Sequence, residues 1–229
     1  MRIYWIKAQA PRRVLALVKH LGLKAECIEM DMMAGALKTS EYAALNPNMK
    51  APALVDGELV LWESSAIMAY LCTKSQSDMW PISDSMEQIE ILRWLSWNDC
   101  HWAPAVGPFY FEHIVKPTFG IGEPDSVSLG SKVSELLRYA RVLDEHLSDR
   151  DFIACGRLTI ADFQLASMAT YWDESEMPFD DFPHIVRWIV GLRRIPAWRE
   201  PWPTPSRYAS GRLPRPREAS EPGLPQPSS

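Results

Sequence analysis

The stretch from residue 52 to residue 71 leaves the fewest structural options in this chain. Pro52-Ala53-Leu54-Val55 and Leu59-Val60-Leu61-Trp62 are apolar runs on either side of Asp56-Gly57, a turn dipeptide, and together they predict a β-hairpin. Glu63-Ser64-Ser65 follows at once and opens a helix through Ile67, Met68, Tyr70 and Leu71. Upstream, residues 2–6 read as a short buried strand of β-branched and aromatic types. Pro11 suits the first turn of a helix, where its missing N–H costs nothing, and Val14, Leu15, Leu17, Val18 and Leu21 continue at helical spacing until Gly22 stops the run. This helix is expected from Arg12 to about Leu21, with a second strand near Ala25–Met30 and a short helix at about Thr39–Leu45. Strand–helix–strand, helix, hairpin, helix is the order of a compact α/β unit over residues 1–75.

Residues 76–84 are polar and contain Pro81, which predicts a linker. Beyond them only helical periodicity recurs, at Ser85–Trp102, Ser126–Leu147, Ile160–Trp172 and Pro183–Arg194, so residues 85–200 are expected to form an all-helical second domain. Thr159 and Asp162 form a capping arrangement, each answering N–H groups that the helix start leaves unpaired. Residues 201–229 are rich in Pro, Ser, Gly, Arg and Glu and predict an extended tail, with Tyr208 and Leu213 as its only anchors.

The net charge of -5 disfavours a nucleic-acid partner, which calls for a basic surplus or patch. Cys27, Cys72, Cys100 and Cys155 are scattered, without a C-x-x-C pair or metal-like grouping, and are expected to be reduced and mostly buried. No apolar run approaches the roughly 20 residues that span a bilayer, and the N-terminus carries no signal-peptide pattern, so no membrane role and a cytoplasmic location are expected.

Asn-Pro-x-x-Lys-Ala-Pro at residues 46–52, the hairpin, Glu63-Ser64-Ser65-Ala66-Ile67 and Tyr70-Leu71 together resemble the glutathione-binding segment of the glutathione transferase family. Phe152–Asp162 resembles the family's capped helix in its second domain, and the likeness covers residues 1–200. The chain thus resembles a bacterial-type cytosolic member. The resemblance implies a thioredoxin-like N-terminal domain, an all-α helical-bundle C-terminal domain, a homodimer, and glutathione as co-substrate with no metal. It also implies a cis Pro52 that turns the backbone of Ala51 outward to pair with the cysteinyl residue of glutathione. Ser64 and the first N–H groups of its helix suit the γ-glutamyl carboxylate, Glu63 the ammonium, and Lys50 the far carboxylate.

One part of the family pattern is absent. The turn after the first strand reads Lys7-Ala8-Gln9-Ala10-Pro11-Arg12-Arg13, and the position where relatives carry a thiol-activating hydroxyl falls on Ala8. Three groups are candidates to replace it: the phenol of Tyr4, the amide of Gln9, and Arg12 together with the helix it begins. A second substrate, a small apolar electrophile, is expected against the helix carrying Trp97, His101 and Trp102, with Pro104 bending or ending that helix to open a cleft. Asp99 resembles the acid that reaches a neighbouring subunit's glutathione in some relatives. Thiolate transfer is the leading reading. Glutathione-dependent disulfide or peroxide reduction, and a non-catalytic scaffold, remain open.

Overall fold

The computed structural model describes residues 1–203. The sheet-bearing half runs β1 (Arg2–Trp5), α1 (Gln9–His20), β2 (Glu26–Glu29), α2 (Ser40–Leu45), β3 (Ala53–Asp56), β4 (Leu59–Trp62) and α3 (Ser64–Ser75). Strand order is β2-β1-β3-β4, with β1 parallel to β2 and antiparallel to β3. Gly57, at φ +63, takes the left-handed conformation that closes the β3–β4 hairpin without a side-chain clash. Alternation in β1 separates the two faces of the sheet. Ile3 and Trp5 join the main core with α1 and α3, while Tyr4 packs with Leu37, Tyr42 and Ala53 on the opposite face.

The helical half comprises α4 (Ser85–Trp97), α5 (Ala103–Tyr110), α6 (Lys116–Phe119), α7 (Ser126–Gly130), α8 (Val133–His146), α9 (Ile160–Ala169), α10 (Pro183–Arg193) and α11 (Pro196–Arg199). The expected helix over Ser126–Leu147 is two, α7 and α8. Of the two outcomes expected at Pro104, a bend or an end, the helix does not end there. α4 passes through a π-helical segment, Asn98–Trp102, into α5, and a second such segment, Phe111–Val115, leads into α6. Each segment lies just ahead of a proline, Pro104 or Pro117, which has no N–H to give and whose ring crowds the carbonyl four residues back. The wider turn takes up that crowding, with Ala103 N–H reaching Asn98 O and Lys116 N–H reaching Phe111 O, so the helical run survives both prolines.

α9 is buried almost all round, and its start is fixed by Asp162. The Asp162 carboxylate accepts from the backbone N–H groups of Ile153 (2.9 Å) and Thr159 (2.8 Å), and from Trp188 Nε1 (3.0 Å). The two halves share one core. Arg12 Nη2 donates to Trp198 O at 2.6 Å, Ser167 Oγ to Gln9 O at 3.2 Å, and Trp202 stacks on Trp5 at 5.6 Å. Among the described residues no helix is long and apolar enough to cross a membrane. Tyr208 and Leu213, the expected tail anchors, lie outside the described residues.

Candidate active site

Three short segments meet at one end of the sheet. The loop Asn46–Lys50 is tied down because Tyr42 Oη and Asn46 Nδ2 both donate to Lys50 O, at 2.9 and 2.6 Å. The Ala51–Pro52 peptide bond that follows is cis. Register pairs Ala53 with Trp62 and with Tyr4. Continued two residues outward, it sets Ala51 opposite Ser64 on one side and Ile6 on the other. The backbone N–H and C=O of Ala51 therefore stand beyond the paired part of the sheet, and no group among the described residues pairs with them.

α3 begins on the far side of this edge without a side-chain cap. Glu63, its preceding residue, is exposed and held at φ 69, ψ 120, a region that non-glycine residues rarely occupy and that concentrates at functional sites. Ser64 is 3% exposed, yet its hydroxyl has no hydrogen-bond partner among the described residues. Free N–H groups at a helix start, a spare hydroxyl and an adjacent carboxylate suit a ligand with both an anionic and a cationic group. Lys50 is exposed at the rim.

The third segment is the turn into α1, which begins at Gln9, one turn ahead of the expected Arg12. Pro11 is accommodated inside the first turn, where no N–H is needed. Ala8 provides no side-chain cap, no acid stands in the first turn, and the N–H groups of Gln9 and Ala10 are unpaired among the described residues. This end of α1 is an uncompensated positive pole next to Ile6, and so next to Ala51.

The three side chains expected to replace a turn hydroxyl point elsewhere. Tyr4 packs edge-to-face on Tyr42, 6.2 Å away, on the sheet face opposite α1. Gln9 is 8% exposed, with Nε2 donating to Tyr110 Oη at 2.7 Å. Arg12 is 0% exposed, lies over the Trp198 ring at 4.0 Å, and is sealed into the contact between the two halves, where burial lowers its pKa. It has no path to a ligand, which corrects the expectation for its charge. The physical reason is helical phase: Arg12 falls on the face of α1 that packs against Trp198 of the helical half.

Arg13 is a cation of the cleft that the residue pattern does not single out. It lies in the fields of Asp99 and Glu63 and donates to Gln164 O at 3.4 Å; burial lowers its pKa to about 10, and the two acids oppose that shift. Asp99 is in turn held by Asn98 Nδ2 at 2.8 Å and Gln164 Nε2 at 3.0 Å. Two adjacent arginines on one helix divide their work, one in the core and one in the cleft, and only helical phase distinguishes them.

The aromatic stripe also needs correction as a substrate wall. Trp102 is 0% exposed, stacked on Phe179 and bonded through Nε1 to Leu165 O at 3.0 Å. Trp97 stacks on Trp102 at 6.0 Å, and His101 stacks on Tyr139 of α8 at 5.1 Å. Trp102 is thus part of the helical half's own core, and the half-buried Trp97 and His101 pack on it and on Tyr139, because large apolar faces bury against one another before they line a cleft. The helical run instead comes near α1 at Asp99, in whose field Arg13 lies, and at Tyr110, which Gln9 reaches.

The cysteines form no disulfide, but the expectation that most are buried does not hold: Cys72 is buried, Cys27 and Cys155 are half-buried and Cys100 is exposed. Burial pushes the Cys72 thiol up to about 12 and the Cys155 thiol up to about 11, the opposite of what a nucleophile needs. No cluster of three or more His, Cys, Asp or Glu among the described residues could hold a metal ion.

Family models described as the N-terminal and C-terminal domains of glutathione S-transferase match residues 2–73 and 97–196. The chain is 30% identical to glutathione S-transferase 3 of Zea mays over 195 residues, covering 82% of this chain and 86% of that protein. It is also 30% identical to glutathione S-transferase 2 of Anopheles gambiae over 193 residues, with coverages of 82% and 88%. Among solved structures, a theta class glutathione S-transferase from Xanthomonas axonopodis pv. citri with glutathione bound superposes with a TM-score of 0.76 at 27% identity, covering 87% of this chain and 95% of that one.

Proposed function

The chain belongs to the glutathione S-transferase family, and from that premise we propose that it binds glutathione at the Ala51 edge and transfers the thiolate to a small, apolar electrophile. The observation that carries this reading is the unpaired backbone of Ala51 facing the uncapped start of α3, with the Ser64 hydroxyl free between them. Ala51 and the cis Pro52 pair with the cysteinyl backbone. Ser64 and the first N–H groups of α3 take the γ-glutamyl carboxylate, Glu63 its ammonium, and Lys50 the glycyl carboxylate. Arg13 belongs to this set as well, holding Glu63 in its field. The thiol then lies at the positive end of α1, beside Gln9 and Ala10. Residues 1–75 form the glutathione domain, 76–84 the linker and 85–200 the helical domain; the protein works in the cytoplasm without a metal.

The test is the pH dependence of the thiolate absorbance of glutathione bound to the purified protein, followed by conjugation of an aromatic chloride. A bound thiol titrating more than one unit below its free value of about 8.5 is the expected result. Titration at the free value would move the reading to disulfide or peroxide reduction, and absence of binding would leave a scaffold.

A homodimer completes the proposal. Leu59, Val60 and Trp62 are exposed on the edge strand β4, and Met86, Ile89 and Leu92 on one side of α4. Such faces are uncommon on monomers and mark contact surfaces. Light scattering is expected to give a dimer that Leu92→Glu splits into monomers; a monomeric wild-type protein overturns this point.

A further inference from the structure

Every residue of α9 is buried except Met168, which is partly exposed. Its neighbours fix where that opening lies. Gln164, one turn earlier on the same face, accepts through its backbone O from Arg13 at 3.4 Å. Ser167, the residue before Met168, donates from Oγ to Gln9 O at 3.2 Å. Gln9 and Arg13 are the two ends of the first turn of α1, so that turn lies along α9 with Arg13 at Gln164 and Gln9 at Ser167. α1 begins at Gln9. Met168 therefore stands where the covering helix starts, beside its uncompensated positive end, and this is why it alone on α9 reaches solvent.

The residue facing Met168 is Gly107 of α5, itself partly exposed. Gly107 lies one turn before Tyr110, whose hydroxyl accepts from Gln9 Nε2 at 2.7 Å, so both belong to the side of α5 turned toward α1. Outside its own helix, a Cβ added at Gly107 would meet only Met168 within 4 Å among the described residues, at 3.9 Å from Sδ and 4.0 Å from Cε. No turn requires a glycine here, since the position is inside a helix. What the glycine leaves is space, and what bounds that space is a thioether. Methionine has an unbranched, freely rotating side chain and a polarisable sulfur that packs favourably on aromatic rings.

We propose that Met168 is a specificity-determining residue for the electrophile, forming with Gly107 the floor on which an aromatic substrate lies beside the thiol. The methionine end swings toward or away from the glycine, and the room it leaves sets how large an aromatic group is accepted. This inference rests on thiolate transfer from glutathione bound at the Ala51 edge.

The experiment measures kcat/KM for benzyl chloride and for 4-phenylbenzyl chloride with wild type, Met168→Ala and Gly107→Leu. In both reactions the sulfur bonds to the benzylic carbon, chloride leaves with the bonding electrons, and the thiol proton passes to water. The two substrates differ by one ring, so the ratio of large to small reads the size of the site. That ratio is expected to rise about tenfold in Met168→Ala and to fall about tenfold or more in Gly107→Leu. Glutathione affinity, measured by calorimetry, is expected to change less than about threefold in either variant. A general folding defect lowers both substrates alike and leaves the ratio where it was. A ratio unmoved in both variants, or moved the same way in both, overturns the inference while thiolate transfer stands. A wild type that binds no glutathione, or transfers it to neither chloride, overturns the reading of the site as well. Should Gly107→Leu not fold, Gly107→Ala, whose Cβ is in ordinary contact with the sulfur, is expected to lower the ratio about threefold; no change then overturns the proposal.

Discussion

Asp162→Ala is expected to unfold this protein under conditions in which the wild type is stable. The carboxylate accepts from Ile153 N–H, Thr159 N–H, the Thr159 hydroxyl and Trp188 Nε1. Asp162 and Thr159 are both 0% exposed. Alanine leaves three buried N–H donors without an acceptor, and each costs about 1–3 kcal/mol. A total of roughly 4–6 kcal/mol is comparable to the whole net stability of many domains, which is about 5–15 kcal/mol. The damage spreads because one carboxylate joins the loop before α9, the start of α9 and a tryptophan of α10. Urea denaturation of the purified variant provides the measurement. Asp162→Asn, which keeps one oxygen acceptor, is expected to fall between the two. A midpoint for Asp162→Ala within the error of the wild type would show that the hydrogen bonds around α9 are dispensable.

Ser64→Ala has the opposite profile, with a large effect on the ligand and almost none on the fold. The Ser64 hydroxyl makes no hydrogen bond within the described residues, so its removal orphans nothing. Under the proposed function it donates to a carboxylate, and a charge-assisted hydrogen bond contributes about 2 kcal/mol. That corresponds to about a 30-fold weaker affinity for glutathione. Isothermal titration calorimetry measures the affinity, and thermal melting checks that the midpoint moves by no more than about a degree. A variant that melts early but binds glutathione normally would mark Ser64 as a structural residue and remove it from the site.

These two residues also show how unevenly the sequence reveals its structure. The Asp162 cap is legible because capping is local: a hydroxyl and an acid three residues apart serve the same helix start wherever that helix packs. The β3–β4 hairpin is legible for the same reason, since Asp56-Gly57 sets a turn from residue types alone. The edge at Ala51 and the start of α3 are reached through resemblance, with physical chemistry agreeing. By contrast, the spacing of Trp97, His101 and Trp102 suggests a cleft wall, and spacing tells which residues share a face but not what that face meets. They meet α8 and Phe179. Pro104 reads as a bend or an end of the helix because a proline removes one N–H; the π-helical turn that absorbs it is a cooperative adjustment of the whole helical run.

Arg12 and Arg13 define the boundary between the two kinds of information. The sequence by itself determined the order of elements, the hairpin, the capped helix, and the lack of a hydroxyl at the turn into α1, because each depends on interactions within a few residues. Only the tertiary structure decided that α1 starts at Gln9, that Arg12 is sealed against Trp198 while Arg13 lies in the fields of Asp99 and Glu63, and that Tyr110 comes within hydrogen-bonding distance of Gln9. Those contacts join residues up to 186 positions apart. Their geometry is set by how the helical half packs on α1, a property of the whole core that no local pattern of residues encodes.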